Sequence, residues 1–507
     1  MGSLEHLLAA LSPLNLLLAL AGVTAGTVIG ALPGLTATMA VAVLVPFTFS
    51  MDPAAALIVL GAIYTGAIYG GAYAAILLNT PGTPSAIATT FDGYPLARQG
   101  RGDLALTLAC LASVAGGLVG AAFLLLLAPP MATVALKFGP VEYFWLAVFG
   151  LTLIASLGEG STIKGLIGGC LGLLLSMVGV AEVGGDVRYV GNFPVLLGGI
   201  DIVSALIGLY CIPVLIELVA TPARHLESVS RTAGFQLREA LGLFGRAKLN
   251  LARSSVIGTV VGILPGAGGS IASLVAYSEA KRASPRRERF GKGEPDGIIA
   301  TESANNATVG GGFIPTLVLG IPGTPPDAII LGALLVQGVR TGPTLFTQQA
   351  PIVYTFVWGL VLATVLMLPV GLLIGRFAFR SIVAIPKAVL VPGVALLTVL
   401  GSFAVHNNPH EVQQMVVLGV IGWGLGLMGF SASPIVLGLI LGSIAESGFV
   451  QGHLIGGAAG DIWGEFFGRP ISLGIIAFIA LGLLWPWWMS RRAAPPVPAA
   501  DTGAGHG

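Results

Sequence analysis

The tetrapeptide Pro-Gly-Thr-Pro occurs twice, in LLNTPGTPSA (Leu77–Ala86) and in LGIPGTPPDA (Leu319–Ala328), each time within an apolar region. Proline lacks a backbone N–H and interrupts a helix, and glycine weakens it further. In a bilayer every freed backbone group needs a partner inside the protein, because lipid offers none. The surrounding regions have bilayer character. Leu104–Pro129, Val195–Val219 and Val353–Ile374 each lie near or above the ~20 residues that cross a membrane. Of 507 residues, 55% are hydrophobic and 9% are charged, where a soluble domain carries about 25% charged residues. Mean hydropathy is +0.92. These features predict an all-α, polytopic membrane protein whose broken helices are buried in protein or line a cavity.

A second pair of motifs turns the repetition into a plan. GTVIGALPG (Gly26–Gly34) and GTVVGILPG (Gly258–Gly266) agree at seven of nine positions with a spacing of 232. The Pro-Gly-Thr-Pro pair is spaced by 241, and YGGAY (Tyr69–Tyr73) falls on GGGFI (Gly310–Ile314) between them. The same order with nine extra residues implies two structural halves. The predicted organisation is a first repeat over 1–222, a cytoplasmic amphipathic arm over 223–253 and a second repeat over 254–450. A final loop and transmembrane helix follow over 451–490, then a disordered, Pro/Ala/Gly-rich tail over 491–507. The stretch Thr221–Ser254 carries six Lys/Arg and reads as a helix on the membrane surface.

Basic residues set the orientation. Crossings are predicted near 55–91, 103–129, 140–157, 165–181, 195–219, 298–331, 344–374, 388–404, 412–428, 435–450 and 470–489. With the arm inside the cell, 20 of the 24 Lys/Arg face the cytoplasm, all but Lys137, Arg188, Arg340 and Arg469, and the C-terminus is cytoplasmic. The loop after the first LPG motif then carries no basic residue, whereas its counterpart KRASPRRERFGKG is strongly basic. The two halves therefore have inverted topology, the plan of many secondary transporters. The arms flanking Pro265-Gly266 are too short to cross. They predict a re-entrant hairpin with its tip at Leu264–Gly269, and a matching outward-opening hairpin with its tip at Leu32–Leu35. The count is roughly 11 crossings plus two hairpins.

A helix that starts after a break exposes free N–H groups and the positive end of its dipole, which together bind anions. The predicted anion site comprises Pro33, Gly34, Thr36 and Thr38 of the first LPG segment, and Asn79, Thr80, Pro81, Gly82, Thr83, Pro84 and Ser85 of the first break. From the second half it takes Pro265, Gly266, Gly268 and Ser270, and Pro322, Gly323, Thr324 and Pro325. No Lys or Arg is near these motifs in the sequence, so backbone N–H groups, hydroxyls and bound cations are expected to hold the anion. The polar run TESANNATVGGG (Thr301–Gly312) supplies Glu302, Ser303, Asn305 and Asn306 as ligands for a coupling cation, Na⁺ or H⁺.

Other features carry less. Cys110, Cys170 and Cys211 lie in apolar runs without metal-ligand spacing and read as packing residues. HNNPHE (His406–Glu411) reads as a solvated loop rather than a metal site, and Asp92 as the cap of a cytoplasmic turn. FGKG at Phe290 lacks the rest of a nucleotide-binding loop, and no cofactor is expected. A net charge of +1 offers nothing for a nucleic-acid partner, and none is expected. The N-terminus lacks the basic region of a cleavable signal peptide. No His accompanies the Ser/Thr-rich motifs, so a nucleophile–base pair is missing and an enzyme is not expected.

At GALPGLTATMAVAVLVPFTF, YGGAYAAILLNTPGTPSAIATTFDGYPLARQGRG, GILPGAGGSIASLVAYSEAKR, FGKGEPDGIIATESANNA and LGIPGTPPDAIILGALLVQGVRTGP, the chain resembles the large permease subunit of tripartite tricarboxylate transporters. The resemblance covers nearly the whole chain. It implies a cation-coupled importer of citrate-like carboxylates in the bacterial inner membrane. It also implies two partners, a small membrane subunit and a periplasmic solute-binding protein that delivers substrate. The family's paired segments fall on Pro81–Pro84 and Pro322–Pro325. Pro326-Asp327 departs from the pattern and places an acid beside the second break, where it alters anion choice or supplies a cation ligand. A passive anion channel, or a permease for a dicarboxylate or aromatic acid, is the alternative.

Overall fold

The structure, a computed structural model, describes residues 2–157, 161–181, 183–221, 236–378 and 384–492. Residue 222 of the predicted first repeat, part of the predicted arm, 223–235, and the predicted tail from 493 onward lie outside the described residues. Among the described residues the chain is helical apart from a two-residue ribbon, β1 (Gly179–Val180) against β2 (Val187–Arg188). The first half contains α1 (Gly2–Ala10), α2 (Pro13–Ala31), α3 (Ala37–Leu44, extended by a 3₁₀ turn over Val45–Thr48) and α4 (Pro53–Leu78). It continues with α5 (Ile87–Leu96), α6 (Gly102–Ala135), α7 (Pro140–Leu157), α8 (Thr162–Ser176) and α9 (Ile202–Ala220). After α10 (Leu237–Arg246), the second half contains α11 (Lys248–Ile263), α12 (Gly268–Ala283), α13 (Pro295–Leu319), α14 (Pro325–Val336), α15 (Leu345–Gln348) and α16 (Ala350–Leu373). It closes with α17 (Lys387–His406), α18 (Pro409–Leu427), α19 (Ala432–Ala459), α20 (Ile462–Phe467) and α21 (Pro470–Arg492). Among the described residues, seven helical runs are long and apolar enough to cross a membrane, and shorter apolar helices accompany them.

Two of the expected crossings are interrupted at Pro-Gly-Thr-Pro, while in 165–181 helix α8 stops at Ser176 before β1 and in 195–219 helix α9 starts only at Ile202. The segment 55–91 is α4, a break and α5, and 298–331 is α13, a break and α14. Local chemistry explains the starts and stops. Asp52 accepts a hydrogen bond from Ala54 N at 3.1 Å with Pro53 in the first turn, so α4 begins there. It ends at Asn79, whose φ of 54° is left-handed, and α13 ends at Gly320 with φ 71°. These two caps are one position at the repeat spacing of 241.

Glycines set how the helices meet. A β-carbon at Gly26 would lie 2.1 Å from Ile63 O, and one at Gly30 would lie 2.2 Å from Ala67 O. Contacts that advance together mean that α2 and α4 run in the same direction. In the second half Gly258 meets Ala304 O at 2.2 Å and Gly262 meets Thr308 O at 2.7 Å, so α11 runs with α13. Such close approach is the packing that small residues permit in membranes. Since each outer helix of a pair runs the same way, α3 and α12 must return between them. Both predicted hairpins are therefore present as helix–break–helix units, and Gly34 (φ 90°) and Gly266 (φ 85°) make their turns.

The same reading gives the inversion. Helix α6 runs with α13 (Gly116 on Ser303, Gly120 on Ala307), and α16 runs with α4 (Gly359 on Ile58, Gly375 on Tyr73). Helices α6 and α16 run oppositely, because Gly117 meets Thr364 while Cys110 meets Gly371. Hence α4 and its counterpart α13 point in opposite directions. Basic segments gather on one face: Arg101 pairs with Glu239, Gln99 Nε2 donates to Lys292 O at 2.8 Å, and Arg376 lies 3.9 Å from Asp103.

An inner bundle of α2, α4, α6, α11, α12, α13 and α16 is flanked by outer helices. In the outer layer α8 packs on α19, through Gly172 and Gly438, and α9 packs on α18, through Gly208 and Met415. Cys110 and Cys211 are buried, as packing residues should be, whereas Cys170 on α8 is exposed.

Candidate functional site

Each Pro-Gly-Thr-Pro break docks on the hairpin of its own half. Gly82 N donates to Gly71 O at 3.4 Å, and a β-carbon at Gly82 would meet Gly30 O at 2.5 Å. Gly323 is set likewise, 2.7 Å from Gly262 O by the same construction, and its carbonyl accepts from Gly266 N at 2.8 Å. Each break also faces the opposite half. Thr324 Oγ1 lies 2.9 Å from Tyr64 OH of α4. Ser85 Cβ lies beside Gly269 at the start of α12, 2.9 Å from where a β-carbon would stand.

The four interruptions therefore converge on one cavity of about 440 Å³. Thr36, Thr38, Thr83, Pro84, Ser85, Gly266, Gly268, Ser270, Pro322, Gly323, Thr324 and Pro325 line it. Pro33, Gly34, Asn79, Thr80, Pro81, Gly82 and Pro265 do not, and serve the turns instead. Asn79 is an exposed helix cap, and Thr80 Oγ1 donates to Leu78 O at 3.3 Å. Thr36 both lines the cavity and caps α3, accepting from Met39 N at 3.1 Å. The two breaks differ in donors. The second begins α14 with Pro325 and Pro326, which have no N–H, so the expected free amides of a helix start are reduced there.

The outer layer completes the wall with residues that carry no motif: Ser161, Lys164 and Gly165 at the start of α8, Tyr210 and Val214 of α9, and Gly429 to Leu437 in part. Lys164 corrects the expectation of a site without Lys or Arg. It is the one charged side chain among the described lining residues. Its Nζ donates to Met428 O at 2.6 Å and lies 5.7 Å from the Phe430 ring centre, which holds the ammonium at the cavity wall. A lone lysine in a short apolar helix was the available signal. Tyr64 was legible too, since the 241 spacing sets it opposite Asn305.

The four expected cation ligands do not form one cluster, and none lines the cavity. Successive positions on α13 point in different directions. Glu302 is wholly buried and accepts from Thr89 Oγ1 at 2.5 Å and Ser113 Oγ at 2.9 Å. Ser303 turns back to Ala300 O and packs on α6, and Asn306 Nδ2 meets Met367 Sδ at 3.7 Å. Asn305 faces Gly269 and Ser85, with both amide atoms buried and unpartnered in the protein.

Asp92 does not cap a turn of its own. It is buried within α5, and its Oδ1 accepts from Gly291 N, Gly293 N and Glu294 N, each at 2.8 Å, while Tyr277 OH donates to Oδ2 at 2.9 Å. The glycines of FGKG thus wrap a carboxylate of the other half. Burial raises the neighbouring Glu294 carboxyl above its ordinary value, and Arg286 at 3.0 Å draws it back down. In the HNNPHE segment His406 Nδ1 pairs with Glu411 Oε1 at 2.7 Å. No cluster of three metal-binding side chains occurs among the described residues.

A cavity walled by both halves, in an inverted-repeat membrane bundle, is what a translocation pathway requires. The family model described as "Tripartite tricarboxylate transporter TctA family" matches residues 16–437. The chain belongs to this family. It is thereby a membrane permease component of a tripartite transport system, and the family is one of transporters rather than enzymes. An uncharacterized 52.8 kDa protein in the TAR-I ttuC' 3'region of Agrobacterium vitis is 36% identical over 469 residues, 92% of either chain. An uncharacterized protein in the TAR-II ttuC' 3'region of the same organism is 33% identical over 238 residues, 46% of this chain and 97% of that one. No solved structure matches.

Proposed function

We propose that this permease imports tricarboxylates or related carboxylate anions, coupled to Na⁺ or H⁺, across the bacterial inner membrane with its C-terminus in the cytoplasm. A periplasmic binding protein delivers the substrate, and a small membrane subunit assists. The observation that carries the reading is the convergence of all four breaks on one cavity where the single charged residue among the described lining residues is a cation. Its volume suits a small organic ion, since ligand pockets run about 300–1,000 Å³. Thr83, Ser85, Gly268 and Ser270 offer hydroxyls and amides to one carboxylate, and Lys164 offers charge to another. Alternating access follows from an exchange of roles between the inverted halves around a fixed site.

Replacement of Lys164 tests the reading. A charge-assisted hydrogen bond contributes about 1.5–3 kcal/mol, or roughly ten- to hundredfold in affinity. Lys164→Met is expected to raise the half-saturating citrate concentration by that factor in proteoliposomes, with Lys164→Arg retaining part. Unchanged citrate uptake by Lys164→Met removes the cavity assignment. Uptake indifferent to collapse of both the Na⁺ and H⁺ gradients replaces the coupled permease by a channel.

A further inference from the structure

Asp327 is the third residue of α14 and is wholly buried. At the repeat spacing its first-half counterpart is Ala86, so the architecture of the break does not need an acid there. Among the described residues no Lys or Arg pairs with it. A helix start favours an acid by about 0.3–1 kcal/mol, whereas a buried unpaired charge costs several kcal/mol. The dipole alone therefore does not hold Asp327 as a bare carboxylate, and a bound cation or a proton must neutralise it.

The surroundings choose between the two. Asp327 Oδ2 lies 2.6 Å from Thr324 Oγ1, and Thr324 Oγ1 lies 2.9 Å from Tyr64 OH. Tyr64 and Thr324 line the cavity, while Asp327 lies behind them. Gly312 closes the other side, since a β-carbon there would stand 2.3 Å from Oδ2. A metal ion needs several oxygens around it, and a carboxylate packed this tightly against glycine leaves no space for such a shell. Oδ1 is buried without a hydrogen-bond partner. Tyr64 is the titratable side chain facing the carboxyl. Helix α3 carries no charged residue, Asp201 and Glu217 lie at or near the ends of α9, Glu446 at the middle of α19 is paired with Arg188 and His453 lies towards the end of that helix, Glu302 lies nearly three turns before Gly312, and Lys164 stands across the cavity wall.

We propose that Asp327 is a proton-binding site connected to the substrate cavity through Thr324 and Tyr64. On loading, Tyr64 OH passes its proton to Thr324 Oγ1, Thr324 passes its own to Asp327 Oδ2, and Tyr64 takes one from a hydronium ion in the cavity, which is left as water. Release reverses each transfer, so every oxygen ends with its starting complement. Glu302 differs, because both of its oxygens are already held by Thr89 and Ser113 and none of the three lines the cavity. The proposal rests on the reading of the chain as a coupled permease and names its ion.

The test uses the full permease with its two partner subunits in proteoliposomes, and citrate as probe. Asp327→Asn is expected to lose at least tenfold of the citrate accumulation driven by a pH gradient, while citrate–citrate exchange without a gradient persists; Asp327→Glu restores accumulation in part. Infrared difference spectra of the purified protein between acid and alkaline pH supply a readout independent of substrate. A protonated-carboxyl band present in the wild type is expected to vanish in Asp327→Asn and to persist in Glu302→Gln. Undiminished gradient-driven accumulation by Asp327→Asn, or identical spectra for it and the wild type, overturns the proposal. A wild-type protein that shows the band but neither exchanges nor accumulates citrate overturns the carboxylate reading instead.

Discussion

The two hairpins share a sequence signature and are treated oppositely by the rest of the molecule. In the first, Ala37 and Met39 to Val43 of α3 are buried, covered by α9, α14 and α17. In the second, α12 touches the short 3₁₀ turn after the first break, but its outer face is open, with Leu274 41% and Val275 40% exposed. The cavity lies against that open face. Like sequences thus mark the two corresponding elements of an inverted repeat, and unlike covering distinguishes them. The breaks repeat the lesson in chemistry. Both fold back on glycines of their own half, yet the first offers hydroxyls at Thr83 and Ser85 while the second carries Asp327.

The largest effect breaks both halves at once. Gly82 and Gly323 each lack space for a side chain, with carbonyls 2.5 Å and 2.7 Å from where a β-carbon would lie. Overpacking of this kind costs typically 1–3 kcal/mol and shifts backbone. Gly82→Val and Gly323→Val are each expected to abolish uptake, with membrane insertion retained on fractionation. Loss in only one variant breaks the equivalence of the two breaks, and normal uptake by both removes the breaks from the pathway.

A middling effect sharpens the contrast between hairpins. Leu274→Cys on α12 is expected to react with a water-soluble maleimide at least tenfold faster than Ala40→Cys on α3, which is wholly buried. Conditions that populate the opposite state should reverse the order. Equal rates in every condition contradict an exchange of roles. Mass-spectrometric quantification of the adducts supplies the measurement.

Much of this was legible in the chain because repetition is a long-range signal. The motif pairs at 232 and 241 carried the two halves and the pairing of the hairpins, and the basic loops carried the inversion. Lys164 and the rest of the outer wall were not legible as a site, because α8, α9 and α19 contribute a few residues each without a shared pattern. The four candidate cation ligands are dispersed for a geometric reason. Glu302, Ser303, Asn305 and Asn306 are neighbours in sequence, but a helix turns about 100° per residue and sends them to different partners. Asp92 read as a local cap because its partners lie some 200 residues away, in a glycine loop shaped around it.

The smallest effect separates a capping residue from a binding residue. Asn79 and Gly320 occupy the same repeat position and share the left-handed conformation that ends α4 and α13. Asn79 is exposed and stands outside the cavity. Asn tolerates this conformation and Gly adopts it freely, so Asn79→Gly makes the first break resemble the second. Stability in detergent is expected to change by no more than about 0.5 kcal/mol, and citrate affinity to remain at the wild-type value. A tenfold loss of affinity with stability unchanged would return Asn79 to the anion site and make the first break, unlike the second, a direct ligand through its cap. Asn79→Ala discriminates further, since a residue with a β-carbon and no local hydrogen bond costs roughly 1–2 kcal/mol there. That cost should appear as lowered thermal stability, again without a shift in affinity, if the position serves the turn alone.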